Sequence, residues 1–177
     1  MKGLVVIDMT NDFVTGVIGT PRAEKIVPQI QQLQAYAREH PEDWKIFYPN
    51  DSHLPDDPDV KIFGPHSMRG TPGADPIEEL TPGEGEFVLP KRFYSSFYGT
   101  DLESLLRKFG VDTMVIAGLH TNVCCRHTSA DAFFRGFDIV VPKDAVEALT
   151  EEEHEQGLWY LSTVYGVDQP YTKELLI

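Results

Sequence analysis

Five short runs in this chain are apolar at nearly every position: "LVVI" at 4–7, "KIFY" at 45–48, "FVL" at 87–89, "TMVIAGL" at 113–119 and "DIVV" at 138–141. Each is bounded by turn residues, and continuous rather than alternating hydrophobicity marks a strand buried on both faces. Between the runs, apolar positions recur at helical spacing. Val27-Pro28 opens a helix with proline in its first turn, and Ile30, Leu33 and Ala37 form its inner face. "TDLESLLRKFG" carries Thr100 and Glu103 as a capping box and Gly110 as a stop. "TEEEHEQGLWYLSTVYG" repeats the device with Thr150, Glu153 and Gly166, and "VCCRHTSADAFFRG" is a helical pattern closed by Gly136. Alternating strands and helices predict an α/β fold, a mostly parallel sheet with helices on both faces.

Composition narrows this picture. At 177 residues the chain suits one domain, residues 1–177. A formal net charge of −13 repels phosphate backbones and anionic lipid, so neither nucleic acid nor membrane is an expected partner. No apolar run approaches the ~20 residues of a membrane span. "MKGLVVIDMTNDF" is too short for a signal peptide and reads as a first strand, and two cysteines make no disulfide framework, so a cytoplasmic location is expected. One region, about 49–85, breaks the strand–helix rhythm with prolines, acidic residues and two of the six histidines, which favours a functional loop.

Ligands of an open parallel sheet bind beyond the carboxyl ends of its strands. There the first four predicted strands deliver Asp8, then Asp51 and His53, then Lys91, then the adjacent pair Cys124–Cys125. The cysteines fall in a first helical turn, where unpaired N–H groups favour a thiolate and can hold an oxyanion. The same pair also fits a packed core position, a vicinal disulfide or part of a Cys/His zinc site. Asp8 fits a turn cap or a general base beside the thiol, and Lys91 fits a solvated lysine or the cation balancing that base. Asp51, His53 and His66 fit either a solvated acidic loop or a site for zinc, manganese or iron.

In "VVIDMTNDF", "DSH", "FGPHSMRGTPGA", "KRFYSSFYGTDL" and "AGLHTNVCCRHTSADAFFRGFDIVV" the chain resembles the isochorismatase-like cysteine hydrolases, and among them most closely the nicotinamidases. The motifs occur in order and cover nearly the whole chain. The resemblance implies a three-layer α/β/α sandwich and a catalytic triad of Asp8, Lys91 and Cys124. It implies an oxyanion hole from the backbone N–H groups of His120 and Cys124, with a cis peptide before His120. It places a divalent metal, zinc above manganese or iron, on Asp51, His53, His66 and Asp59, and Phe13, Phe63 and Tyr94 around the substrate. Cys125 stands where the family usually has valine. Asn122 replaces a common aspartate and His120 a small or aliphatic residue, departures that bear on substrate identity.

The expected activity is hydrolysis of nicotinamide to nicotinate and ammonia through a thioester on Cys124. A related amide, carbamoyl or ureido substrate is the alternative within the family. A non-catalytic binding protein or a dithiol redox protein is the alternative outside it. The expected partners are a small-molecule amide and further copies of the chain, as a homo-oligomer.

Overall fold

The computed structural model describes residues 1–177. Its strands are β1 (Lys2–Ile7), β2 (Trp44–Asp51), β3 (Phe87–Lys91), β4 (Thr113–Leu119), β5 (Asp138–Val140) and β6 (Val146–Glu147). Its helices are α1 (Asn11–Val14), α2 (Pro21–Lys25), α3 (Val27–Glu39), α4 (Val60–Phe63), α5 (Leu102–Lys108), α6 (Arg126–Phe134) and α7 (Glu151–Tyr165). All five predicted strands and the four predicted helices form. Missing from the prediction were β6 and the short helices α1, α2 and α4, which are too brief to show a period. No helix is long and apolar enough to cross a membrane.

The strands pair in parallel in the order β3-β2-β1-β4-β5, with β6 beside β4. Alternate residues of the inner strands feed opposite faces. Leu4, Val6, Ile46 and Val115 pack with Ile30 and Leu33 of α3. Val5, Ile7, Phe47 and Ile116 pack with Leu102 and Leu106 of α5, Ala132 of α6 and Leu161 of α7. The result is the α/β/α sandwich, and burying each Leu or Ile in either layer is worth roughly 2 kcal/mol. Sheet growth runs one way through β2 and β3 and reverses at β4. The crevice between the ends of β1 and β4 is therefore the topological switch point where ligands of such sheets bind.

One glycine fixes how closely β1 and β4 approach at that crevice. Gly118 has φ +109°, and a Cβ there would lie 2.0 Å from the Ile7 carbonyl oxygen. Gly118→Ala should cost about 4 kcal/mol or more, because it adds backbone overlap to a positive φ. Little soluble folded protein, or a urea midpoint lowered by more than about 1 M, is the expected result; a midpoint equal to wild type would refute the close-approach argument.

Two helix starts contrast. The Thr150–Glu153 capping box of α7 forms, and Gly166 closes that helix in the left-handed region. The Thr100–Glu103 box does not form. Helix α5 begins one residue later, with Asp101 as its cap, so Glu103 falls at the second helical position and cannot reach back. Its carboxylate instead accepts from Arg135 at 2.8 Å.

Candidate active site

Asp8 follows β1 in the left-handed region, φ 54°, a conformation aspartate tolerates better than most residues and one that turns the chain sharply at the sheet end. Its side chain is fully buried. Oδ1 accepts from the Asp51 backbone N–H at 2.8 Å, and Oδ2 lies 2.8 Å from Lys91 Nζ. Lys91 ends β3 directly beside Asp51 at the end of β2, a register that brings the two side chains together. Its Nζ is 2.5 Å from Asp51 Oδ1 and donates to Cys124 Sγ at 3.6 Å. One buried ammonium thus touches two carboxylates and the thiol, joining Asp8, Lys91 and Cys124 as expected and adding Asp51.

Cys124 and Cys125 close a wide π-helical turn, Thr121–Cys125, which precedes α6 instead of forming its first turn. The Cys125 N–H donates back to the His120 carbonyl at 3.1 Å. The peptide between Leu119 and His120 is cis. Both cysteines are free, and they part company in what surrounds them. Cys124 borders a cavity of about 260 Å³, whereas Cys125 is fully buried and absent from its lining.

Electrostatics correct one sequence expectation. Burial pushes the Cys124 thiol well above its usual range, and Lys91 opposes this without prevailing. The turn does not by itself hold a thiolate, so deprotonation needs a base. Burial and the Asp51 charge raise Asp8 to about 7, against Lys91. A carboxyl group with such a value can take and return a proton near neutrality. Burial opposes the charge on Lys91, but Asp51 and Asp8 outweigh it and raise its pKa.

The other oxygen of Asp51 turns toward a second cluster. Asp51 Oδ2 and Asp59 Oδ2 lie 3.3 and 3.0 Å from His53 Nε2. With His66 they present four ligand atoms within 4.8 Å of one another, all on buried residues. His53 Nδ1 faces Asp57 Oδ2 at 3.3 Å, and His66 Nδ1 faces the Gly64 carbonyl at 2.7 Å. Those partners orient both rings with Nε2 toward the cluster, the pattern of metal-ligating histidines. His53 Nε2 and Asp59 Oδ1 have no hydrogen-bond partner although buried. Burial works against charge on His53, yet Asp51 and Asp59 raise its pKa to about 10. The carboxylates demand a cation, and a divalent ion on two neutral imidazoles meets that demand as well as a proton does. The donor set fits zinc, manganese or iron.

Phe13, Phe63 and Tyr94 all line the cavity, together with Asp51, Asp59, His66 and Cys124. Most of the expected site residues therefore share one chamber, while Asp8, Lys91 and His53 are buried outside its lining. Several supporting residues escaped the sequence reading. Asp57 pairs with Arg92 through both carboxylate oxygens and takes the Leu54 N–H at 2.8 Å, while its pKa is held below the usual range first by Arg92. Asp12 accepts from the Ser67 N–H at 2.7 Å and ties the histidine loop to α1. His154 of α7 meets buried Thr121 Oγ1 at 2.9 Å from Nδ1. Among the acids of "HLPDDPD" the one sequence signal for Asp57 is its place four residues after His53.

An Isochorismatase domain model matches residues 2–169. N-carbamoylsarcosine amidase from Thermoplasma acidophilum is 41% identical, covering 97% of this chain and 96% of that one, with a TM-score of 0.90. A pyrazinamidase/nicotinamidase from Streptococcus mutans UA159 is 35% identical, covering 96% and 99%, with a TM-score of 0.89. The pyrazinamidase of Pyrococcus horikoshii, solved in complex with zinc, is 29% identical, covering 96% and 98%, with a TM-score of 0.85.

Proposed function

We propose, from the premise that this chain belongs to the isochorismatase family, that it is a cysteine-dependent amidohydrolase whose substrate is nicotinamide. The observation that carries the reaction type is the position of Lys91 Nζ, 2.8 Å from Asp8 and 3.6 Å from the Cys124 thiol beside the cavity. Asp8 takes the thiol proton and Cys124 Sγ attacks the amide carbonyl. The oxyanion rests on the His120 and Cys124 backbone N–H groups. Collapse of this adduct breaks the C–N bond as Asp8 returns the proton to the leaving ammonia. Asp8 then deprotonates a water that attacks the thioester, releasing the carboxylic acid and restoring the thiol. Lys91 keeps Asp8 ionised at the start of each half-reaction.

Nicotinamide is favoured because the Asp51, His53, Asp59 and His66 cluster opens into the same cavity as the thiol. A divalent metal held there would act as a Lewis acid toward a ring nitrogen, orienting the substrate. Phe13, Phe63 and Tyr94 supply apolar walls for a flat ring. Likeness to a pyrazinamidase/nicotinamidase and to a zinc-bound pyrazinamidase supports this choice.

The test is ammonia release from nicotinamide, pyrazinamide and a carbamoyl amide by the metal-replete protein, before and after exhaustive chelation. Release from nicotinamide, reduced at least about 10-fold by chelation and restored by zinc, is the expected result. Silence toward all three amides would overturn the amidase assignment. Release indifferent to metal removal would overturn the orienting role of the cluster.

A further inference from the structure

His120, Asn122 and Glu153 line the cavity without a task in this scheme, and of the three only His120 is buried. His120 is about 8% exposed, and its side chain forms part of the cavity lining. The ring packs on Phe13 with centroids 5.5 Å apart, and Phe13 packs equally close to His66. Phe13 is thus a wall flanked by two imidazoles, one belonging to the metal cluster and one that does not. No protein group pairs with the His120 ring nitrogens. A nitrogen pair this enclosed loses water on ligand binding and must recover a partner from the ligand. Burial lowers the His120 pKa to about 4, so the ring enters as one donor and one acceptor without charge.

The charges around it are one-sided. Asp51, Asp59 and Glu153 line the cavity, and neither lysine nor arginine does. Lys91 lies behind them, engaged by Asp8 and Asp51. A divalent ion in the cluster would offset the two aspartates that bind it and leave the Glu153 carboxylate, held by Thr150 in the α7 capping box, with no cation paired to it.

The geometry points to His120 as a specificity residue: its ring hydrogen-bonds a heteroatom of the substrate, and within this acid-lined cavity the site selects amides that carry no carboxylate of their own. This deepens the amidase reading above and rests on it. It separates the chain from an enzyme for a carboxylate-bearing amide such as N-carbamoylsarcosine, despite 41% identity to one. The carboxylate of such a substrate would meet like charge in a confined space, where no guanidinium or ammonium is available to receive it.

Binding to the metal-replete Cys124→Ala protein separates this inference from turnover. Nicotinamide and N-carbamoylsarcosine would each be titrated by calorimetry, with His120 intact, His120→Leu and His120→Gln. We expect nicotinamide to bind the His120 protein at least about 10-fold more tightly than N-carbamoylsarcosine. Leucine should weaken nicotinamide about 5- to 10-fold, the size of one neutral hydrogen bond. Glutamine, which also donates and accepts, should recover most of that loss, a rescue that a purely packing role would not produce. In wild-type turnover His120→Leu should raise KM more than it lowers kcat. Equal or tighter binding of N-carbamoylsarcosine would overturn the charge selection, and unchanged nicotinamide affinity in His120→Leu would overturn the role of the ring. Failure of the wild type to release ammonia, with these binding preferences intact, would instead count against the amidase reading alone.

Discussion

Cys124→Ala should abolish ammonia release, with a fall in kcat of at least about 10³-fold, while Cys125→Val should retain at least half of wild-type activity. The contrast follows from where the two thiols lie. Cys124 Sγ faces the cavity and receives a hydrogen bond from Lys91 Nζ at 3.6 Å. Without it no thioester can form, and removing a nucleophile from a preorganised site costs several orders of magnitude. Cys125 is fully buried and packs in the same layer as Ile7, Ala132 and Leu161. Valine is of similar volume and apolar, and such exchanges usually cost less than about 1.5 kcal/mol. Steady-state ammonia assays on both variants, with mass spectrometry for an acyl adduct on Cys124 in trapped turnover, check the pair. Equal losses in both variants would revive the dithiol reading.

Lys91→Ala should lower stability by about 3–5 kcal/mol and reduce kcat by at least about 10³-fold. The lysine side chain is wholly inaccessible and lies between Asp8 and Asp51, 2.8 and 2.5 Å from their oxygens. Its removal leaves two carboxylates buried side by side without a counter-charge, the costliest way to disrupt a buried ion pair. One of them must then hold a proton at neutral pH, and a protonated Asp8 cannot accept the proton of Cys124. At a typical urea slope of about 2 kcal/mol per molar the midpoint should drop by about 1.5–2.5 M. Adding Asp8→Asn to Lys91→Ala removes one of the facing charges, and should recover part of the stability and none of the activity. If the double variant proved no more stable than the single one, charge imbalance would not be the cause. If Lys91→Ala kept its activity, the lysine would have no part in the chemistry.

Much of this site was legible before any fold was available. Asp8, Lys91 and Cys124 each follow an apolar run, and parallel strands point their carboxyl ends toward the same edge. His53 and His66 stood out because neutral ligands are scarce in an acidic loop. The supporting shell was less visible. Thr100 and Glu103 match a capping box letter for letter, yet the helix starts a residue late and Glu103 pairs with Arg135, 32 positions away. Nothing local pairs His154 with Thr121, yet α7 packs so closely there that a Cβ on Gly157 would lie 2.8 Å from Thr121 Cγ2. Local pattern ranks a residue by its sequence neighbours, and these partners come from distant elements.

The sequence by itself determined the strand–helix alternation, the two-sided burial of the inner strands and the candidate residues at the strand ends. Those are short-range properties, set by periodicity and by which residues can do the chemistry. Only the tertiary structure decided how charge is divided among them. The register of β2 on β3 puts Asp51 against Lys91, so one carboxylate belongs to both the thiol centre and the Asp/His cluster. Burial then keeps Cys124 a thiol and raises Asp8 to about 7. Desolvation and Coulomb energies depend on depth and on distances between residues 33 or more positions apart, and no local pattern contains them.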